Sequence, residues 1–361
     1  MDLNSTENGT DAFFGGADSR LEEIIIPIVF GFTCLLGIIG NSLVIYVILK
    51  HNKMKTVANV YIMNLALADL LFMIMIPFIS YQQAMNMWPF GSAWCKISMA
   101  VDGMNQCTGI YCLTAMAFDR YLAIVHPIKS LKRRTVRIAG AVNISIWVVA
   151  FVTVMPLWLY TKAVTIPGTG ISICAVDWPY DTFGAVFLLY MFVFGLALPV
   201  VIITLCYLLM IKKLYVGVSP LGESHTKKPT KKVARMVLTV IFVFVICWTP
   251  FYTIQFVGAF SDDDWRPDKT FYGFFYFALC LSYFNSCVNP LIYSFMSDNF
   301  RKCFAKVVTC KRLYDTDIEG ETKLNRNSGS GEDGKTIGTV ANSQMVLNMA
   351  ATENPGNPRQ T

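Results

Sequence analysis

Polar and apolar positions in this chain come in blocks. Apolar runs long enough to cross a membrane recur at 24–49, 60–79, 96–125, 137–160, 183–211, 234–259 and 271–296, separated by short polar connections. About twenty predominantly apolar residues carry a helix across a hydrocarbon core roughly 30 Å thick. The pattern predicts an all-α membrane protein, a bundle of seven transmembrane helices. A different periodicity follows the last run. Phe300, Cys303, Phe304, Val307 and Val308 fall at i, i+3, i+4, i+7 and i+8, with Arg301, Lys302 and Lys306 off that face. This is the pattern of a short amphipathic eighth helix lying on the inner leaflet. The chain thus divides into a head at 1–23, a bundle at 24–297, the eighth helix at 298–310 and a disordered tail at 311–361, rich in Gly, Asn, Ser and Thr.

Composition agrees, because 54% hydrophobic and 15% charged is too apolar for a soluble domain of 361 residues. The polar, acidic head has no basic n-region or small-residue cleavage site, so the first run reads as an anchor and not a removed signal. Basic residues set the orientation. The loops after the first, third and fifth runs hold fifteen, among them Lys50, Lys129, Arg134 and Lys227. The head and the alternate loops hold four: Arg20, Lys162, Arg266 and Lys269. The head is therefore outside and the tail inside. The net charge of +6 is a topology signal, and no nucleic-acid partner is indicated.

Orientation gives other residues their roles. Asn4-Ser5-Thr6 and Asn8-Gly9-Thr10 are glycosylation sequons on the outside, whereas Asn143-Ile144-Ser145 lies within the fourth run. Most of the eleven cysteines sit inside apolar runs. Cys95 and Cys174 are the two clearly extracellular ones, in an oxidising compartment, and they predict a disulfide over the top of the third helix. The loop holding Cys174 alternates on either side of Pro167-Gly168-Thr169-Gly170, as a β-hairpin does. On the inner side Cys310 and Cys303 are palmitoylation candidates. The tail hydroxyls Ser328, Ser330, Thr336, Thr339 and Ser343 are candidate kinase targets.

The third run carries the most chemistry. Asp102 and Asp119 are separated by seventeen steps, roughly 25 Å along a helix, so one acid lies near each face of the membrane. An intramembrane charge is costly and points to function. Asn105 and Gln106, at i+3 and i+4, fall near the same face as Asp102. In the sixth run Trp248, Phe251, Tyr252 and Gln255 share a face next to the helix-kinking Pro250, and the seventh adds Tyr276 and Tyr283. An aromatic stripe packs a bundle or lines a pocket. Beside an acid with no intramembrane Lys or Arg, it describes a pocket for a cationic or polar guest.

Asp69, mid-span in the second run, must be neutralised by a proton, a cation or a base. Asn105, Asn285 and Asn289 supply oxygens and no base, so an allosteric sodium ion and a bound proton both remain open. No resident cofactor is indicated. Asn41 reads as a helix–helix hydrogen bond. At the inner end Asp119 can hold its neighbour Arg120 until the sixth helix swings about Pro250.

Gly40-Asn41, Leu65-Ala66-Leu67-Ala68-Asp69, Cys95, Asp119-Arg120-Tyr121, Cys247-Trp248-Thr249-Pro250 and Asn289-Pro290-Leu291-Ile292-Tyr293 together resemble the rhodopsin-like (class A) G-protein-coupled receptors from about residue 24 to 310. Trp88-Pro89-Phe90-Gly91, Val101-Asp102-Gly103-Met104-Asn105-Gln106, His126-Pro127-Ile128-Lys129-Ser130, Asp177-Trp178-Pro179 and Asn285-Ser286-Cys287 look most like the somatostatin receptors and the related allatostatin-C receptors. The resemblance implies a multi-pass receptor of the plasma membrane and a neuropeptide ligand. It implies an inhibitory G protein that lowers cAMP, with arrestin and receptor kinases acting on the tail. Asp102, Gln106, Phe251, Tyr252, Gln255 and Tyr283 would meet the peptide. Trp248 would be the switch beneath it, and Arg120, Tyr207 and Tyr293 would rearrange as the inner end opens. Two positions depart from the pattern. Gly109 stands where the family usually has a serine in the sodium site, and Gln255 where somatostatin receptors often carry asparagine.

Other classes fit less well. A transporter would show internal repeats or charges in several helices, and a retinal pigment needs a lysine in the seventh run. An enzyme needs a nucleophile or metal cluster, whereas His51, His126 and His225 lie far apart at the inner face. An opioid-like peptide receptor or an aminergic receptor is the alternative. The outer part of the fifth run, 183–198, lacks the serine pair that a catechol or indole would use.

Overall fold

Along the first helix, α1 (Ser19–Lys50), apolar residues sort by face. Phe30, Asn41 and Val44 are fully buried, whereas Ile28, Phe32, Leu35 and Ile39, at i, i+4, i+7 and i+11, are 61–65% exposed. A stripe of large apolar side chains that faces no protein is the surface that lipid covers. The computed structural model describes residues 19–130, 134–216, 224–261, 265 and 267–308. Asn4, Asn8, Cys310, the tail hydroxyls and the side chains of Lys306 and Val308 lie outside the described residues.

The remaining elements follow in order: α2 (Val57–Met85), α3 (Gly91–Val125), the short α4 (Pro127–Ser130), α5 (Val136–Thr153) and α6 (Met155–Tyr160). A hairpin comes next, β1 (Thr161–Thr165) and β2 (Ser172–Val176), paired antiparallel with Ala163 opposite Cys174. Then come α7 (Asp181–Phe192), a π turn (Val193–Ala197), α8 (Leu198–Val216), α9 (Ser224–Ala259), α10 (Lys269–Met296) and α11 (Asp298–Val308). Thr56, Thr135 and Asp268 cap α2, α5 and α10 by accepting amide hydrogen bonds.

Six of the described spans are long and apolar enough to cross a membrane by length and composition. α3, with its acids and amides, is not among them. It runs through the centre, packed against α2, α5, α6, α8, α9 and both strands. The most polar span is thus the one that protein shields from lipid. α1 and α10 approach very closely: a Cβ at Gly40 would lie 2.9 Å from Pro290. One residue on, Asn41 donates to the carbonyls of Gly37 and Ser286, both at 3.0 Å.

Three expectations change. The fourth run, expected as one helix over 137–160, breaks at Val154, because Pro156 enters the first turn of α6 and has no amide to continue α5. The fifth and sixth helices outlast their apolar runs, which end at 211 and begin at 234, since α8 continues to Val216 and α9 begins at Ser224. The apolar face of α11 is turned onto the bundle. Phe300 is fully buried 5.8 Å from the Tyr293 ring, and Cys303, Phe304 and Val307 pack against the same core.

Candidate functional site

Beneath the hairpin lies a cavity of about 510 Å³, within the usual range for a binding site. Asp102 and Gln106 of α3, Trp248, Phe251, Tyr252 and Gln255 of α9 and Tyr283 of α10 all line it, with Cys174 and Val176 of β2 above. Tyr276 is not in the lining. It packs edge-on against Phe275, which takes the position facing the cavity together with Leu279.

Among the described residues Asp102 has no hydrogen-bond or ion-pair partner, and no Lys or Arg of those residues lines the cavity. A carboxylate held in such walls favours a cationic guest. Gln106, one turn deeper, is already engaged. Its Nε2 donates to the Tyr252 hydroxyl, which donates to the Met191 carbonyl at 3.1 Å. These bonds join α3, α9 and α7. The π turn brings Gly195 against the pair, so that a Cβ there would lie 3.3 Å from the Tyr252 oxygen and 3.4 Å from Gln106 Nε2. Below them Trp248 is buried between Phe244 and Phe251, and its indole N–H has no partner among the described residues.

Asn105 leaves the face it was expected to share with Asp102 and Gln106. A helix advances 100° per residue, so i+3 falls on the other side of Asp102 from i+4. The Asn105 amide accepts from Ser286 Oγ at 3.0 Å and donates to the Ala68 carbonyl at 3.2 Å and to Asp69 Oδ1 at 3.3 Å. Asn289 Nδ2 donates to the other Asp69 oxygen at 3.0 Å. Asp69 is thus buried with two amides and no base, while Asn289 Oδ1 is buried without a partner. Asp69, Ser286 and Asn289 form a set of oxygens that fits a small hard cation, and Asn105, expected among the ligands, instead turns its amide nitrogen to Asp69 and its oxygen to Ser286. At Gly109 a Cβ would make only ordinary contacts, 3.5 Å to Phe244 and 3.8 Å to Leu65.

The inner end of α3 holds a second charged cluster. Asp119 pairs with Arg120 at 2.7 Å and accepts a two-pronged bond from Arg134, Nε to Oδ1 at 2.8 Å and Nη2 to Oδ2 at 3.1 Å. Tyr207 is buried within electrostatic reach of Arg120. Tyr121 lies 3.3 Å from His126 Nε2. Tyr293 is fully buried, and its hydroxyl has no partner among the described residues. Pro250 leaves the Ile246 carbonyl of α9 without its usual amide donor.

The lid is anchored on one side. Cys95 and Cys174 are joined in a disulfide. Gln82 of α2 grips the backbone of Cys174 as another strand would, donating to its carbonyl at 3.2 Å and accepting from its amide at 2.7 Å. The Trp88 amide donates to the Ser172 carbonyl at 2.6 Å. No motif in the sequence marks Gln82 or Gly195, Ser286 stands there only within the Asn285-Ser286-Cys287 motif, and Arg134 shows only as one loop cation. For Gln82 a signal exists, since Gln82-Gln83 is a polar pair directly after an apolar run.

Residues 40–293, which hold every contact above from Asp69 to Tyr293, match the family described as 7 transmembrane receptor (rhodopsin family). The chain is 41% identical to the somatostatin receptor type 2 of Sus scrofa, over 95% of this chain and 90% of that protein. It is 43% identical to the type 5 receptor of Rattus norvegicus, over 81% of this chain and 79% of that one. With the type 1 receptor of the same organism it shares 39% identity, over 84% and 75%. A plasma-membrane, multi-pass placement and the absence of an enzymatic role follow from that kinship, and the chain belongs to the rhodopsin family of seven-transmembrane receptors.

Proposed function

We propose that this protein is the receptor for a somatostatin-like or allatostatin-C-like peptide and signals through inhibitory G proteins to lower cAMP. The observation that carries this reading is the unpaired Asp102 on the wall of a 510 Å³ cavity, beneath a hairpin lid, in a chain similar to somatostatin receptors. A basic side chain at the tip of a peptide would pair with Asp102, and an amide or hydroxyl would meet Gln106 and Gln255. Trp248 lies at the floor, so a ligand pressing on the aromatic wall bears on α9 close to Pro250. Moving a receptor from 1:99 to 99:1 active requires about 5.5 kcal/mol of differential affinity, which an ion pair and an aromatic wall together can supply. The inner loops would receive the G protein; Ile128, 84% exposed on α4 beside Lys129, offers an apolar contact within a basic surface. Asp69, Ser286 and Asn289 would hold an allosteric sodium ion, whose charge would stabilise the carboxylate in the resting bundle. Arrestin and receptor kinases would act on the tail, and glycans at Asn4 and Asn8 and acyl groups at Cys310 or Cys303 would complete the mature protein.

The test is a screen of somatostatin-like and allatostatin-C-like cyclic peptides on cells expressing the receptor, with cAMP as readout, with and without pertussis toxin. A nanomolar response abolished by the toxin supports the reading. Activation by opioid peptides or amines alone, or calcium release that the toxin does not touch, overturns it.

A further inference from the structure

A second cavity, about 570 Å³, lies at the inner end of the bundle between α2, α3, α4 and α5. It is separate from the ligand cavity, with no residue in common. Tyr61, Ala115, Leu122, Ala139 and Val142 form apolar walls. Phe118 and Ile138, also in the lining, are 51% and 44% exposed, so the cavity opens on the outer surface of the bundle where lipid lies.

The rim has a different character. Lys129 is exposed and has no ion pair among the described residues, and Arg134 belongs to the same lining. Asp119, the one acid in the lining among the described residues, is neutralised by Arg120 and Arg134. Arg134 uses Nε and Nη2 on that carboxylate. A guanidinium has five N–H donors in a fork suited to phosphate, so Nη1 remains available without breaking the Asp119 pair. Two cationic groups therefore stand over an apolar slot at the depth of the inner headgroups. That leaflet carries anionic lipid, which basic pockets between spans recognise.

We propose that this cavity holds one acyl chain of an anionic phospholipid of the inner leaflet, with its phosphate at Lys129 and Arg134. The bound headgroup fixes Arg134, and Arg134 fixes Asp119, so lipid composition bears on the cluster that restrains Arg120.

Full-length receptor in phosphatidylcholine nanodiscs would be doped with phosphatidylserine carrying a mid-chain diazirine, or with phosphatidylcholine carrying the same chain. After photolysis, labelled peptides are mapped. The phosphatidylserine probe is expected to mark the segments holding Phe118 and Ile138. Lys129→Gln, a surface change, should cut that labelling about fivefold, the factor one lysine near an anionic headgroup contributes. Lys129→Arg should keep it. Equal labelling by the two probes, or labelling indifferent to Lys129→Gln, means that ordinary surrounding lipid fills the groove, and overturns the proposal.

Discussion

Arg134 and Arg120 divide one carboxylate. Arg134 approaches Asp119 from just ahead of α5 with a fork at 2.8 and 3.1 Å, and Arg120 reaches it from the next position on α3 at 2.7 Å. The pair ties the second inner loop to the helix that carries Asp102 near its other end.

Asp119→Asn is therefore predicted to do two things together. Basal nucleotide exchange on the G protein should rise, because Arg120 loses its restraint. Thermal stability should fall, since removing one partner of a buried ion pair costs about 3–5 kcal/mol. Unchanged basal exchange in a variant of reduced stability would leave the cluster a structural feature only.

Asp102→Asn should separate two kinds of peptide. For a ligand with Lys or Arg at its tip, one desolvated charge is left unpaired, at about 2–5 kcal/mol, so affinity should drop well over tenfold. For a ligand that offers only hydrogen bonds, the loss should be about 1 kcal/mol. Binding measured with both peptides on receptor at normal surface density decides the matter. Equal affinities on wild type and variant would remove Asp102 as the anchor.

Gly109→Ser tests the sodium reading. The added side chain meets only ordinary contacts with Phe244 and Leu65, so the fold should tolerate it. Sodium is expected to lower agonist affinity weakly in the wild type and more strongly in the variant, which supplies a further oxygen. A wild type already strongly sensitive, and not changed by the substitution, would refute the missing-ligand argument.

Gln82→Ala should loosen the lid. Both hydrogen bonds to Cys174 are lost, each worth about 1 kcal/mol, while the disulfide stays. Peptide should dissociate faster, with little change in basal signalling. Dissociation as slow as in the wild type would mean that the disulfide alone positions β2.

Much of this was legible before any coordinate. The seven runs, the hairpin and the residues that line the ligand cavity follow from period, charge and a few motifs, because lipid imposes coarse rules on long segments. Asn105 does meet Asp69, as its grouping with that acid implied, but it leaves the face of Asp102 and Gln106, because spacing gives an angle but not which neighbours fill it, and α10 offered Ser286 on that side. Arg134 was hidden among loop cations, since its value comes from a partner fifteen residues away across a turn. The π turn at Val193–Ala197 left no trace, because one extra residue per turn does not disturb an apolar run.

The anchoring of the hairpin gives the cavity a direction. The disulfide, Gln82 and Trp88 hold it to the α2–α3 side, and among the described residues no hydrogen bond joins either strand to α9 or α10. A lid fixed along one margin and loose along the other admits traffic from the loose margin. A peptide would then enter and leave past the outer ends of α9 and α10, where Gln255 and Phe275 would gate its passage, while Asp102 on α3 would anchor it. Affinity and lifetime become separately adjustable in one cavity, and substitutions at the two margins should move them apart.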